Sequence, residues 1–427
     1  MNPVSIPDNT ESIHNIGAAI MDYQPYQNAF LSALVNRIGR VIITSKLWRN
    51  PWSPFKKGYL EFGETVEEIF VNIAKPHSFD PNVAEKEVFK RELPDVRAAF
   101  HTMNFQKFYK VTISNDQLRQ AFLSWQGITD LIAKIVDSLY TGMEKDEFVT
   151  MKYMLCRAIL NGMLYVEEQA PVANDNYKPM VAGFREMSTL LTYLTPNYNS
   201  AGVENATSRD NQYIIISAAL EALIDVEVLA QAFNMGKADF LGHLVVVDSF
   251  SQHDLNRLEE LFGDDDSYTP FTSAELATLQ KVNSAVIDGD FFMVFDNYLQ
   301  FTENYNGQGL YWQYFYHTWK TFSISPFANA VVFYGAESKI TGVTVTPATA
   351  NVSAGSSFQL SANVAGTGLI KKTVTWSIEG ETSSGTTIDG SSGILHVASD
   401  EPADTEITVT ATAVDNTRGT ATITIVA

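Results

Sequence analysis

Cysteine is almost absent from this chain. Cys156 is the sole thiol, so no intrachain disulfide framework and no multi-cysteine zinc site can form. It lies in the apolar run from Met151 to Leu160, where a small buried hydrophobe is its expected role. Positive charge is scarce as well. Lys and Arg number 29 against 49 Asp and Glu, for a formal charge of -20. No basic run exceeds a pair such as Lys56-Lys57 or Lys371-Lys372. Proteins that grip nucleic-acid phosphates usually carry a basic patch, so that class is disfavoured. No apolar run has the length, about 20 residues, needed to cross a bilayer. The N-terminal Met1-Asn-Pro-Val-Ser-Ile-Pro-Asp-Asn9 has neither the basic nor the apolar region of a secretory signal. No membrane partner is expected, and synthesis in a cytoplasm is.

Local catalytic patterns are missing too. There is no Gly-x-x-x-x-Gly-Lys-Ser/Thr loop, no Gly-x-Gly-x-x-Gly turn, no Gly-x-Ser-x-Gly elbow and no His-Glu-x-x-His helix. The seven histidines, at 14, 77, 101, 243, 253, 317 and 396, never fall three to five residues apart, so no local metal pair exists. His317 sits in an aromatic run and is expected to pack there. Asp264-Asp265-Asp266 lacks the spacing of a calcium loop and reads as a solvated turn. Glu64, Glu67 and Glu68 read as a charged surface before an acid/base pair. No catalytic residue, cofactor or metal is implied.

What is present is a globular composition, 45% apolar and 18% charged over 427 residues, enough for two or three domains. Aromatics are 12% of the chain, yet after residue 335 only Phe358 and Trp376 occur. A boundary is therefore placed at 338/339. Up to it the chain is mixed α and β. An arm runs over 1–26, and Phe30, Leu31, Leu34, Val35 and Ile38 follow at helical spacing until Gly39. Val41–Thr44 is a short strand, and Asn50–Gly58 opens an extended loop in which 61–73 shows little periodicity. Asp80–Arg91 is charged, and Phe105–Ile113 reads as strand. Leu131, Ile132, Ile135, Val136, Leu139 and Met143, continued by Met151, Met154, Leu155, Ala158, Ile159 and Met163, predict a long helix within 127–163. A helix beyond 25 residues is long for a compact domain, which leaves a break at Gly142 open. Short apolar strands are predicted at 212–216, 243–247, 291–295 and 330–333, with a helix capped by Asp225 between them. An aromatic strand spans 310–324. Strands mixed with helices predict a small α/β layer.

After residue 338 the segments 342–347, 357–364, 374–378, 406–414 and 419–426 alternate apolar and polar residues. Period-two alternation broken by turn residues predicts an antiparallel β-sandwich with Trp376 in its core.

Several colinear segments resemble one family. They are Phe55-Lys-Lys-Gly58 with Thr65-Val-Glu-Glu-Ile69, Val88-Phe-Lys-Arg-Glu-Leu-Pro-Asp-Val96, Ala121-Phe-Leu-Ser-Trp125, Leu229-Ala-Gln-Ala-Phe-Asn-Met235 with Asp239-Phe-Leu-Gly242, and Gly309–Trp319 running into Phe327–Val331. Together they resemble the major head protein of phi-29-like podoviruses. Val343-Thr-Val-Thr-Pro347, Gly355, Phe358-Gln-Leu360 and Val374-Thr-Trp-Ser377 separately resemble the bacterial immunoglobulin-like domain, group 2. The first resemblance implies an α+β Hong Kong 97-type capsid fold: an N-terminal arm (1–26), an extended loop (50–80), a peripheral domain with a spine helix (127–163) and an axial domain (210–290). The second implies an immunoglobulin-like sandwich over 339–427. The short arm and the long loop at 264–275 depart from the family pattern. The implied function is a virion shell of pentamers and hexamers, assembled in the host cytoplasm with a scaffolding protein and a portal. The shell would enclose double-stranded DNA without sequence-specific binding. Expected contacts between subunits are Phe55, Lys56, Lys57, Glu64, Glu67, Glu68, Arg91 and Glu92. The tail would lie outside, as a tie between subunits or a contact for host glycans. The rival classes are a surface adhesin, which needs an export signal or anchor, and a glycan-active enzyme, which needs converging carboxylates in a groove.

Overall fold

The longest element is helix α1 (Gly127–Leu160), 34 residues without a break at Gly142. A Cβ at Gly142 would stand 3.4 Å from the Tyr109 ring, an ordinary van der Waals contact. The helix ends in a Schellman motif: Met163 N–H donates to Ala158 O at 3.0 Å and Gly162 N–H to Ile159 O at 3.1 Å. Gly162 takes the required left-handed turn, with φ +72°.

The structure, a computed structural model, describes residues 48–61, 64–74, 94–114, 127–169, 178–222 and 243–426. The expected arm, the patch at 30–38, the strand at 41–44, the charged run at 80–91 and the helix after Asp225 lie outside the described residues. So do the side chains of Leu131, Ile132, Ile135 and Val136. The architecture is mixed α and β, with strands predominating. Two compact units are formed, one by residues up to Val66, His101–Met151 and Met293–Ser323, the other by Glu67–Phe100, Lys152–Phe292 and Ile324–Ala427.

In the first unit, β1 (Lys56–Tyr59), β4 (Phe105–Ser114), β9 (Phe292–Asn306) and β10 (Tyr311–Ile324) make a sheet in the order β1-β9-β10-β4. The aromatic strand β10 pairs antiparallel with β4 from Tyr311↔Ser114 to Lys320↔Phe105. Its alternation buries Trp312, Tyr314, Tyr316, Thr318 and Lys320. Leu139 and Met143 of α1 join Tyr316, Tyr109, Val111 and Phe301 in one apolar cluster. Each fully buried aliphatic side chain there contributes about 1.5–3 kcal/mol. Strand β9 runs eleven residues past the expected end at Phe295, because its partner β10 extends equally far.

The second unit is built on a five-stranded mixed sheet of β5 (Tyr165–Glu168), β6 (Gln212–Ser217), β7 (Leu244–Val247), β8 (Val282–Asp288) and β11 (Ala330–Tyr334), ordered β5-β11-β8-β6-β7. The inner strands are apolar on both faces, as strands covered on both sides must be. Helix α2 (Lys178–Leu190) lays Met180, Phe184 and Met187 against Ile214, Val286, Val331 and Phe333. Phe184 meets Phe333 edge-on at 4.6 Å. Helix α3 (Ala218–Glu221) is a single turn. Helices α4 (Leu255–Phe262) and α5 (Ser273–Leu279) flank Asp264-Asp265-Asp266, which is exposed, and Thr272 with Glu275 forms a capping box on α5. Strands β5 and β8 and helices α2, α4 and α5 have no counterpart among the elements expected from the sequence.

The C-terminal strands belong to this unit as well: β12 (Lys339–Thr346), β13 (Thr349–Ser353), β14 (Ser357–Gln359), β15 (Ser361–Thr367), β16 (Val374–Glu379), β17 (Thr387–Ile388), β18 (Ile394–His396), β19 (Glu406–Ala413) and β20 (Arg418–Val426). They form sheets β12-β15, β13-β20-β19-β16 and β14-β18-β17. Trp376, Leu395, Ile407, Val409, Ile423 and Ile425 fill the core between them. A Cβ at Gly393, φ +71°, would strike the Trp376 ring at 2.7 Å. Two expectations are corrected. The 357–364 run is not one strand: it turns at the buried Leu360, so β14 and β15 join different sheets. The pairing is not wholly antiparallel either, since β13 runs parallel to β20.

Candidate assembly surface

Strands β2 (Val66–Val71) and β3 (Val96–His101) form a two-stranded sheet, continued by Asn72 N–H donating to Asp95 O at 2.9 Å. The expectation of little periodicity over 61–73 is corrected: β2 alternates regularly between half-buried and exposed residues. One face is held within its own unit. Phe70 stacks on Phe327 at 5.6 Å, Glu68 accepts the Ser325 hydroxyl at 2.8 Å, and Arg97 donates to Ala201 O at 2.6 Å. Asn72 Oδ1 accepts Glu204 N–H at 2.9 Å. The opposite face carries Ile69, Val71, Val96 and Phe100, continued by Ile73, each between 50% and 65% exposed. A contiguous exposed apolar face of this kind marks an interaction surface, whereas isolated exposed apolar residues do not.

The expected contact residues divide. Phe55 is 1% exposed and meets the buried Trp52 edge-on, which in turn meets Phe148. The Asn50 N–H donates to Glu144 and its amide to Glu147, both at 2.8 Å, pinning the Trp52 turn inside the first unit. Phe55 is therefore a core residue of its own chain, which corrects its expected place at a subunit contact. Lys56 is half-buried, and its ammonium pairs internally with Asp296 at 2.6 Å and Glu147 at 3.0 Å. Lys57, Glu64 and Glu67 are exposed, and Glu68 is half-buried against Ser325. Arg91 and Glu92 lie outside the described residues.

Lys56 belongs to a buried charge network that the sequence reading missed. Lys320 pairs with Glu147 and with Asp296, the latter at 2.8 Å, so two ammonium groups face two carboxylates. Burial alone would lower the Lys56 pKa and raise those of Glu147 and Asp296. The opposite charges outweigh it, holding Lys56 above and both carboxyls below their ordinary ranges. Glu144 and Glu147 on the helix's apolar stripe, and Lys320 at an inward position of β10, were the available signals. Three conclusions about scattered groups stand: Cys156 is fully buried with its thiol pushed up to about 12, His317 is tilted against Phe108 at 5.6 Å, and the aspartate triplet is a surface turn.

Comparison with known proteins decides the class. Residues 5–334 match the family described as Phi29-like phage major capsid protein. The chain belongs to that family. Relatives of this Phi29-like major capsid protein include the major capsid protein of Bacillus phage B103, 36% identical over 95% of this chain and 84% of the relative. That of Streptococcus phage Cp-1 is 27% identical over 76% of this chain and 87% of its own length. Among solved structures, the capsid of Staphylococcus phage Andhra shares the fold, with a TM-score of 0.53 at 16% identity over 69% of this chain and 86% of that one. This capsid protein is thus a structural component of the virion that assembles into the phage shell, and not an enzyme. The adhesin and glycan-enzyme classes are not supported.

Proposed function

We propose that copies of this chain form pentameric and hexameric rings that close into an icosahedral or prolate head of the Hong Kong 97 type. In this reading 50–80, with β2 and its partner β3, is the extended loop. The helix α1 is the spine and 210–290 the axial region. The C-terminal strands form the immunoglobulin-like module on the outer surface, available to tie subunits together or to meet host glycans. A scaffolding protein and a portal assist assembly, and double-stranded DNA is enclosed without sequence-specific contact. The net charge of -20 supports an inner wall that does not adhere to packed DNA.

The observation that carries this reading is the apolar face of Ile69, Val71, Val96 and Phe100. Its occupant is a second copy, because a shell protein's repeated neighbour is itself and head-to-tail contacts close into rings. Lys57, Glu64, Glu67, Arg91 and Glu92 are proposed as charged contacts between subunits, which would set register more than affinity. The test is the double substitution I69D/V71D, expressed with and without the scaffolding partner. Expected are a monomer with unchanged circular dichroism and no closed shells in negative-stain micrographs. Normal shells from the double variant would refute the assignment.

A further inference from the structure

A cleft of about 790 Å³ opens inside the second unit, among the C-terminal strands and the turns at 196–202 and 326–327. Arg97, Lys371 and Lys372 line it and, among the described residues, no acidic one does, in a chain where acids outnumber bases 49 to 29. Arg97 is already paired with Asp95 at 3.2 Å, and Lys372 is exposed, 3.4 Å from Leu160 O. Lys371 is the unusual member. It is 8% exposed, donates to Asn197 O, and lies 6.0 Å from the centre of the Tyr165 ring.

No carboxylate among the described residues pairs with Lys371. Glu168 and Asp415 share a smaller cavity of about 220 Å³ with it, but Glu168 accepts Ser338 N–H at 2.8 Å and Asp415 accepts the amide and hydroxyl of Thr417, each at 2.9 Å. Burial pushes the Lys371 ammonium down to about 8. An ammonium has three donors and Asn197 takes one. A buried cation without counter-charge is costly, and a bound anion removes that cost.

We propose that this cleft binds a small oxyanion of the phosphate class, with Lys371 as its principal counter-charge and Lys372 as the second. Free inorganic phosphate and a phosphate ester present the same group, and the experiment separates them. The full-length protein is titrated calorimetrically with inorganic phosphate, glucose 6-phosphate and glucose at constant ionic strength. Saturable binding of phosphate is expected, weakened about tenfold or more by K371M and retained by K371R, whose melting curve also serves as the folding control. Glucose 6-phosphate binding more tightly than phosphate assigns the cleft to an ester, and equal binding assigns it to the free ion. No saturable binding of either phosphate, equal binding by K371M and wild type, or binding of glucose alone would overturn the proposal.

Discussion

Lys320 and Lys371 are both buried lysines, and the two units treat them in opposite ways. In the first unit the Lys320 ammonium meets Glu147 and Asp296, and Lys56 balances the second negative charge. In the second, Lys371 meets a carbonyl and an aromatic ring and no carboxylate among the described residues, and its affinity for a proton falls. Both side chains are buried, and what differs is the company each ammonium keeps. A closed, neutral network fixes α1 against the sheet strands β1, β9 and β10 with no anion from solution. An unbalanced cation at a cleft leaves part of its stabilisation to whatever anion enters.

The sharpest way to break the comparison is to unbalance the first site. E147Q leaves Lys56 and Lys320 with one carboxylate between them, and removing one partner of a buried pair costs about 3–5 kcal/mol. Urea denaturation followed by tryptophan fluorescence measures this, and the double variant E147Q/K320M should recover part of the loss. A loss below about 1 kcal/mol would show the network to be solvated rather than buried. The pH sign follows from the depressed carboxyls. Their folded pKa values lie below the unfolded ones, so their stabilisation is present above the unfolded carboxylate range and disappears as pH falls through the folded values. The wild type should lose more stability on acidification than E147Q does.

A smaller effect is expected at the seat of Lys371. Gly162 has φ +72°, and a Cβ there would stand 2.6 Å from Ile370 O and 2.9 Å from Lys372 N. G162A therefore combines left-handed strain with displacement of the loop that carries Lys371, for a cost of about 2 kcal/mol. Hydrogen exchange should quicken at 369–372 while the network around Glu147 stays protected. Uniform protection in G162A would show that this loop is not seated on the helix end.

How much of this was visible in the sequence follows the range of the interactions. The long helix, β4, β6, β7, β10 and β11 were legible because each keeps one apolar period over its own length. The break at Leu360 was not, since Phe358, Leu360, Ala362 and Val364 hold one alternation across a change of sheet. Helix α2 escaped notice although Met180, Phe184 and Met187 recur at helical spacing, because charged and small residues dilute the stripe. At the candidate surface, Glu67 lies on the exposed face of β2, but the apolar neighbours Ile69 and Val71 that make that face an interface were passed over for its charges. Nothing local reveals that Phe55 packs on Trp52 inside its own chain, or that Lys56 meets Glu147, 91 positions away. Lys371 drew attention only as half of a basic pair, and its burial depends on Asn197 and Tyr165, both distant in sequence.

The smallest effect is also the most discriminating. The folded pKa of Lys371, about 8, lies below the ordinary 10.5 of an unfolded lysine. Between those values the unfolded chain holds a proton that the folded chain has released, so folding stability rises with pH across that window and its penalty is fully present below it. K371M removes the penalty along with the hydrogen bond, and should gain about 1 kcal/mol at pH 7. Other groups titrate in the same range, which is why the difference between wild type and K371M, measured by denaturation from pH 7 to 10.5, is the quantity to follow. That difference should shrink toward zero as pH rises. With phosphate present it should already be small at pH 7, because the anion supplies the charge that Glu147 and Asp296 supply to Lys320. A difference that ignores both pH and phosphate would make Lys371 an ordinary surface lysine and dissolve the contrast between the two sites.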